Sequence, residues 1–249
     1  MSGVNQDTLS HIVIVLVEPQ SADNVGATLR AMRTMGLTQL RLVRPGDFDW
    51  SRLPVIAHRT QDLVARVRVF EGLDEALADT VYAVGCTARR RSLALPPLTP
   101  AEAAPASLAR AVAGPVAFLF GREDTGLSNA DLAHCHALLT IPTDPTYPSL
   151  NLAQAVMVVA YEVWLASLSS SSFPSPSHPS PPALATGAET ESLFAALEET
   201  MRAVDYLIPS RAEATLRALR ALFLRAEPTA EEAALVTALL RAVARRAGP

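Results

Sequence analysis

The chain has 249 residues, 49% of them hydrophobic and 18% charged, and all 21 of its basic residues are arginine because lysine is absent. This composition supports a folded, core-rich protein and excludes Schiff-base chemistry, a Ser-Lys dyad and the lysine of a nucleotide-binding P-loop. A net charge of -4 excludes a global basic field, so any nucleic-acid contact has to come from local arginine clusters.

The N-terminal ten residues are polar and lack the basic region that precedes a secretion signal. The apolar run over residues 12–17 is too short to span a bilayer, and a longer one after Ala155 is interrupted by Glu162. A cytoplasmic protein without membrane association is expected. Short β-prone runs follow at residues 12–17, 40–43, 67–70, 81–85, 116–120 and 138–141, several of them apolar without alternation, as in strands covered on both faces. Helical patterns lie between them. Val25, Leu29 and Met32 form one apolar stripe, closed by Gly36; Thr99, Pro100 and Glu102 spell a capping box with proline at the first helical position; Ser128 and Asp131 read as another helix start. The alternation predicts an α/β domain with a mainly parallel sheet over residues 1–166, with its ligand site at the carboxyl ends of the strands.

Residues 167–182 read SLSSSSFPSPSHPSPP, too poor in apolar surface to pack, and predict a Ser/Pro-rich linker over 167–188. A small helical domain is expected over 189–249. Its first helix carries Leu193, Leu197, Met201, Val204 and Leu207. A second starts at a capping box of Ser210 and Glu213 and carries Leu216, Leu219 and Phe223. A third starts at Thr229 and Glu232 and carries Leu235, Leu239 and Val243. Arg211, Arg217, Arg220 and Arg225 line one face, read as a solvated surface in preference to a binding one. Such a module is marginal alone and is expected to dock.

The chemistry concentrates in loops after strands. Gly121-Arg-Glu-Asp-Thr-Gly-Leu-Ser128 has nearly the glycine and serine spacing of a P-loop, but Leu127 stands where that loop needs lysine. Glu18-Pro19-Gln20 follows the first strand in place of a dinucleotide-binding GxGxxG. Cys86 and Cys135 lack partners at metal-finger spacing, and His134 and His136 on either side of Cys135 are expected to face different ways, so no metal is predicted.

Three segments in register carry a family resemblance: VLVEPQSADNVGATLRAM at residues 15–32, GREDTGLS at 121–128 and IPTDPTYPSLN at 141–151. Together they resemble the three motifs of the SpoU/TrmH branch of the SPOUT methyltransferases, over residues 10–166. With the C-terminal LRALFLRAEPT, the chain is most similar to the TrmJ group of tRNA 2′-O-methyltransferases. The resemblance implies a C-terminal trefoil knot, S-adenosylmethionine as cofactor, a homodimer, and methylation of a tRNA ribose, at anticodon-loop position 32. The alternatives are an rRNA 2′-O-methyltransferase and a non-catalytic RNA-binding protein of the same fold.

By resemblance Arg30 is catalytic. On a helix it lies about 9 Å beyond Asn24, away from the apolar stripe; its guanidinium is a poor base but suits a bidentate grip on phosphate and a developing alkoxide. Asn24, Glu123, Ser149 and Asn151 match the polar motif positions. Glu123 orients Arg30 or a neighbouring amide, or starts a helix; Asn151 or Ser149 caps the last helix of the domain. Cofactor contacts fall on Cys86, Thr87, Ala88, Gly121, Ile141, Pro148, Ser149 and Leu150, mostly through backbone. Arg89, Arg90 and Arg91 are expected to contact RNA phosphate, the alternative being a solvated loop, and Arg33, Arg41 and Arg44 are expected to extend the patch.

Overall fold

The computed structural model describes residues 6–88, 97–170 and 183–247. Seven strands, β1 (Ile12–Val17), β2 (Gln39–Val43), β3 (Arg68–Phe70), β4 (Tyr82–Cys86), β5 (Pro97–Leu98), β6 (Val116–Phe120) and β7 (Ala137–Leu139), form one sheet in the order β3-β2-β1-β6-β4-β7-β5. Every pairing among them is parallel, with Ile14 opposite Leu40 on one side and Phe118 on the other. The late strand β7 is inserted between β4 and β5, bonded to both ends of the connection that joins them.

Helices cover both faces. They are α1 (Gln6–Ser10), α2 (Ala22–Thr34), α3 (Leu53–Ile56), α4 (Gln61–Val64), α5 (Leu73–Leu77), α6 (Pro100–Arg110), α7 (Asn129–Leu132), α8 (Leu152–Ser170), α9 (Gly187–Ala203), α10 (Ala212–Ala226) and α11 (Ala230–Ala247). Ile12, Ile14, Leu16, Phe118 and Phe120 meet α2, α6 and α8 in one core. Val13, Val15, Val17, Ala117 and Leu119 meet α5, Leu127 and Leu132 in the other. Because alternate residues of β1 and β6 both find apolar cover, these strands need no polar face, which explains their unbroken apolar runs.

The capping boxes at Thr99 with Glu102, Ser128 with Asp131 and Thr229 with Glu232 all form. The one expected at Ser210 and Glu213 does not: α10 starts after Arg211, without a side-chain cap. The first C-terminal helix ends at Ala203, leaving Val204 and Leu207 outside it. The Ser-rich stretch also starts later than expected. α8 continues through residues 167–170, where the Ser167 hydroxyl donates to the Trp164 carbonyl at 2.7 Å and Ser169 to Leu165 at 3.3 Å. Hydroxyls that bond back into the preceding turn let serine extend a helix. The last predicted strand is shifted to Ala137–Leu139, so Ile141 lies beyond it in a loop, and the two-residue β5 has no counterpart among the predicted runs.

α8 is long and apolar enough to cross a membrane by length and composition. Here Val156, Val159, Ala160 and Val163 are buried against α2 and α6, which makes it a core helix. Its outer face carries Tyr161, Leu165 and Leu168, exposed at four- and three-residue spacing.

The C-terminal helices dock on the sheet layer. Gly187 and Ala188 donate backbone bonds to Thr80 and Ala78, and Ala221 of α10 enters the second core. Arg110 of α6 forms a two-pronged ion pair with Glu227 at 2.5 Å. Arg220 pairs with Glu191 and stacks over Phe194 at 4.3 Å, so this arginine is part of the packing and not of a solvated face.

Candidate active site

The carboxyl ends of β1, β2 and β6 meet in a charged loop cluster. Glu18, directly after β1, accepts from Arg44 at 3.0 Å and Arg122 at 3.2 Å, and Arg122 also pairs with Asp124 at 3.0 Å. Hydrogen bonds from Arg122 and then Arg44 hold the Glu18 carboxyl below its ordinary value, and Arg122 does the same for Asp124. The 121–128 loop closes tightly on itself. A Cβ at Gly121 would meet the Gly126 carbonyl carbon and the Leu127 nitrogen at 2.2 Å, and Gly126 sits at φ +68°, so both glycines are required by the turn. Leu127, where a P-loop would carry lysine, is buried in the second core.

A continuous hydrogen-bond chain crosses the three motifs. Asn151 Nδ2 donates to Asn24 Oδ1 at 2.8 Å, and Asn24 Nδ2 donates to Glu123 Oε1 at 2.8 Å. Glu123 also accepts the backbone N–H of Gln20 at 3.0 Å, while Asn151 Oδ1 accepts from the backbone of Ala153 at 2.9 Å. Glu123 therefore orients amides and does not pair with Arg30, and Asn151, not Ser149, caps α8. The first turn of α2, the loop after β6 and the start of α8 are locked together by three side chains.

Beside this chain lies a cleft of about 270 Å³, near the lower edge of the ~300–1,000 Å³ usual for small-molecule sites. All eight positions expected to hold the cofactor line it: Cys86, Thr87, Ala88, Gly121, Ile141, Pro148, Ser149 and Leu150. Sequence reasoning missed Asp124, Thr125, Leu152 and Ala155, which join the lining because the 121–126 loop and the first turn of α8 face the same space. Burial pushes the Cys86 thiol up to about 12, so it is a wall and not a nucleophile. Ile141, Leu150, Leu152 and Ala155 give apolar walls suited to a flat base, and Ser149 adds a hydroxyl for a sugar. Among the described lining residues Arg122 is the lone cation, and its charge is taken up by Glu18 and Asp124. The set fits a nucleoside such as that of S-adenosylmethionine better than a phosphorylated nucleotide.

The arginines divide. Arg30 is exposed on α2 and, among the described residues, has no carboxylate partner. It is not part of the cleft lining. Arg33 is exposed and bonded to Asp62 at 2.8 Å. Arg41 does not extend an RNA-facing patch: it is 2% exposed, bonded to Asp79 and to the Ala76 carbonyl, because its strand position turns it into the layer under α5. Arg44 is tied to Glu18. Arg89, Arg90 and Arg91 lie outside the described residues.

His134, Cys135 and His136 diverge. Cys135 is buried in the second core, His136 accepts from Ala83 N at 3.1 Å, and His134 faces Asp74 and Glu191 at 3.2 and 3.3 Å. Of the two carboxylates, Glu191 already holds the Arg220 guanidinium, which also approaches His134 Nδ1 at 3.5 Å.

Residues 11–161 match the SpoU rRNA Methylase family, and residues 188–249 match the C-terminal domain of tRNA methyltransferase TrmJ. The tRNA (cytidine/uridine-2′-O-)-methyltransferase TrmJ of Klebsiella pneumoniae subsp. pneumoniae is 38% identical over 238 residues, covering 94% of this chain and 97% of its own. The protein of the same name from Escherichia coli (strain K12) is also 38% identical, covering 94% and 96%. The crystal structure of TrmJ from Z. mobilis ZM4 superposes with a TM-score of 0.81 at 32% identity, covering 93% of this chain and 98% of that one. A probable methylase family protein from Haemophilus influenzae Rd KW20 gives 0.61 at 33% identity, covering 96% and 97%. With motifs, site and both segments in agreement, the chain belongs to the SpoU methylase family, in the group that carries the TrmJ C-terminal domain.

Proposed function

We propose that this protein is an S-adenosylmethionine-dependent methyltransferase acting on a ribose 2′-hydroxyl of tRNA. The observation that carries the reading is the Asn151–Asn24–Glu123 chain set against a nucleoside-sized cleft, on a chain that aligns with tRNA (cytidine/uridine-2′-O-)-methyltransferases over nearly its whole length. Bound in the cleft, S-adenosylmethionine would supply an electrophilic sulfonium methyl for the ribose oxygen, with a neutral thioether as leaving group and the hydroxyl proton passing to solvent. The rest is placement and electrostatics. Backbone and side chains of residues 86–88, 141 and 148–150, which line the cleft, hold the nucleoside end. Arg30 grips the phosphate beside the target ribose and stabilises the developing alkoxide.

The exposed Tyr161, Leu165 and Leu168 stripe on α8 supports a homodimer, which gives Arg30 of one protomer access to its partner's cleft. The insertion of the late strand β7 between β4 and β5 supports the trefoil knot that the resemblance implies. Residues 1–166 form the methyltransferase domain, 167–188 the linker with a helical start, and 189–249 the helical domain. The C-terminal match favours tRNA over rRNA. The target at anticodon-loop position 32 rests on the resemblance of the motifs alone, and the cytoplasm as place of action on the polar N-terminal residues. The test is calorimetry with S-adenosylmethionine followed by tritiated-methyl transfer to bulk tRNA and to rRNA. Transfer to tRNA is expected. Transfer to rRNA alone, or RNA binding without transfer, overturns the reading.

A further inference from the structure

Tyr147 is 78% exposed and stands directly before Pro148, Ser149 and Leu150, which line the cleft. Its side chain takes no part in either core. The turn that carries it is nonetheless held stiffly. Asp144 Oδ1 accepts from the Thr146 backbone N–H at 2.7 Å and from its hydroxyl at 2.5 Å, and the Tyr147 N–H donates to the Asp144 carbonyl at 3.0 Å. Thr143 bonds across the turn to the Pro148 carbonyl at 3.3 Å, and Pro145 and Pro148 restrict the backbone on either side. The other exposed aromatics are placed differently: Trp50 packs against Phe48 at 4.9 Å between ring centres, Tyr161 belongs to the α8 stripe, and Tyr206 lies past the end of α9. Among the described residues Tyr147 is thus a firmly presented ring with no side-chain partner, adjacent in the chain to residues that line the proposed site.

The polar groups nearby are poorly placed to read a base edge. Arg122 is committed to Glu18 and Asp124, Glu123 to Asn24 and Gln20, and Asn151 to Asn24 and the start of α8. With Arg122, Glu123 and Asn151 committed among the described residues, recognition of a base by its face is the contact this side of the cleft offers, and stacking on an aromatic accepts any base.

We propose that Tyr147 is the stacking platform for the base of the nucleotide offered to the cleft, a substrate-contacting residue that holds cytosine and uracil alike. The proposal rests on the tRNA reading above. Its test uses the full chain, S-adenosylmethionine and two tRNA transcripts differing by C or U at the modified position, with Tyr147→Ala and Tyr147→Phe compared to wild type. Tyr147→Ala is expected to raise KM for both transcripts about ten-fold or more, while Tyr147→Phe stays within about two-fold of wild type. Cofactor affinity measured by calorimetry should be unchanged in both variants. An unchanged KM in Tyr147→Ala, a Phe variant as impaired as Ala, or a matching loss of cofactor affinity overturns the platform while leaving the enzyme reading intact. A wild-type chain that methylates no tRNA overturns both.

Discussion

Arg30 and Asn151 separate two kinds of contribution to the site. Arg30 is exposed and makes no ion pair among the described residues, so replacing it should leave the fold alone. Arg30→Ala is expected to lower the methyl-transfer rate about 10²–10³-fold, the scale of losing one charge-stabilising donor, with unchanged cofactor binding by calorimetry. Asn151 both caps α8 and holds Asn24. Asn151→Ala should therefore cost about 1 kcal/mol in a urea melt as well as activity. Asn151→Asp keeps an oxygen for the cap but cannot donate to Asn24, so it should lose activity with most stability retained. The motif residues themselves were legible in the sequence. Their connection was not, because Asn24 meets Glu123 and Asn151 across 99 and 127 residues of chain. Arg41 marks the complementary limit: its charge can be read from the sequence, but its burial follows from which neighbouring strand and helix close over it.

Strands and helices were legible where a local pattern decides them. β6 was predicted at its observed bounds, and three capping boxes form because a Ser or Thr three residues before an acid closes on itself without outside help. β5 escaped notice because two residues carry no period; it exists only where β7 offers bonds. β7 is in turn pinned by His136, which accepts from Ala83 N and donates its own backbone N–H to the Ala83 carbonyl at 2.8 Å. Burial pushes the His136 imidazole down to about 4, so the ring is neutral in the fold. Between pH 6.5 and 4 the unfolded chain binds the proton that the folded one refuses. Stability is thus expected to fall with decreasing pH across that window, by up to about 3 kcal/mol. Urea unfolding at pH 7 and pH 4.5 checks this, with His136→Gln expected to remove that part of the pH dependence.

At the scale of the whole molecule, α8 turns one face to the core and leaves Tyr161, Leu165 and Leu168 in water. Leu165→Arg should convert a dimer to a monomer in light scattering while leaving cofactor binding in place, and a wild type that is already monomeric would contradict the proposed assembly. The docking of the C-terminal helices was foreseeable from their marginal size, but not its anchor points: Thr80, Arg110 and Ala221 carry no sequence signal for a partner. The position of β7 also bears on how the protein is made. While the ribosome is still short of residues 137–139, a nascent chain has β4 and β5 with no strand to join them, and β4 presents one open edge to the cell. Sheet completion is deferred to the end of the domain's synthesis and depends on distant parallel pairing, which is intrinsically slow. A fragment cut before α8 would lose the helix that seals the first core, so the smallest piece that could be expressed as a stable unit must run past residue 163.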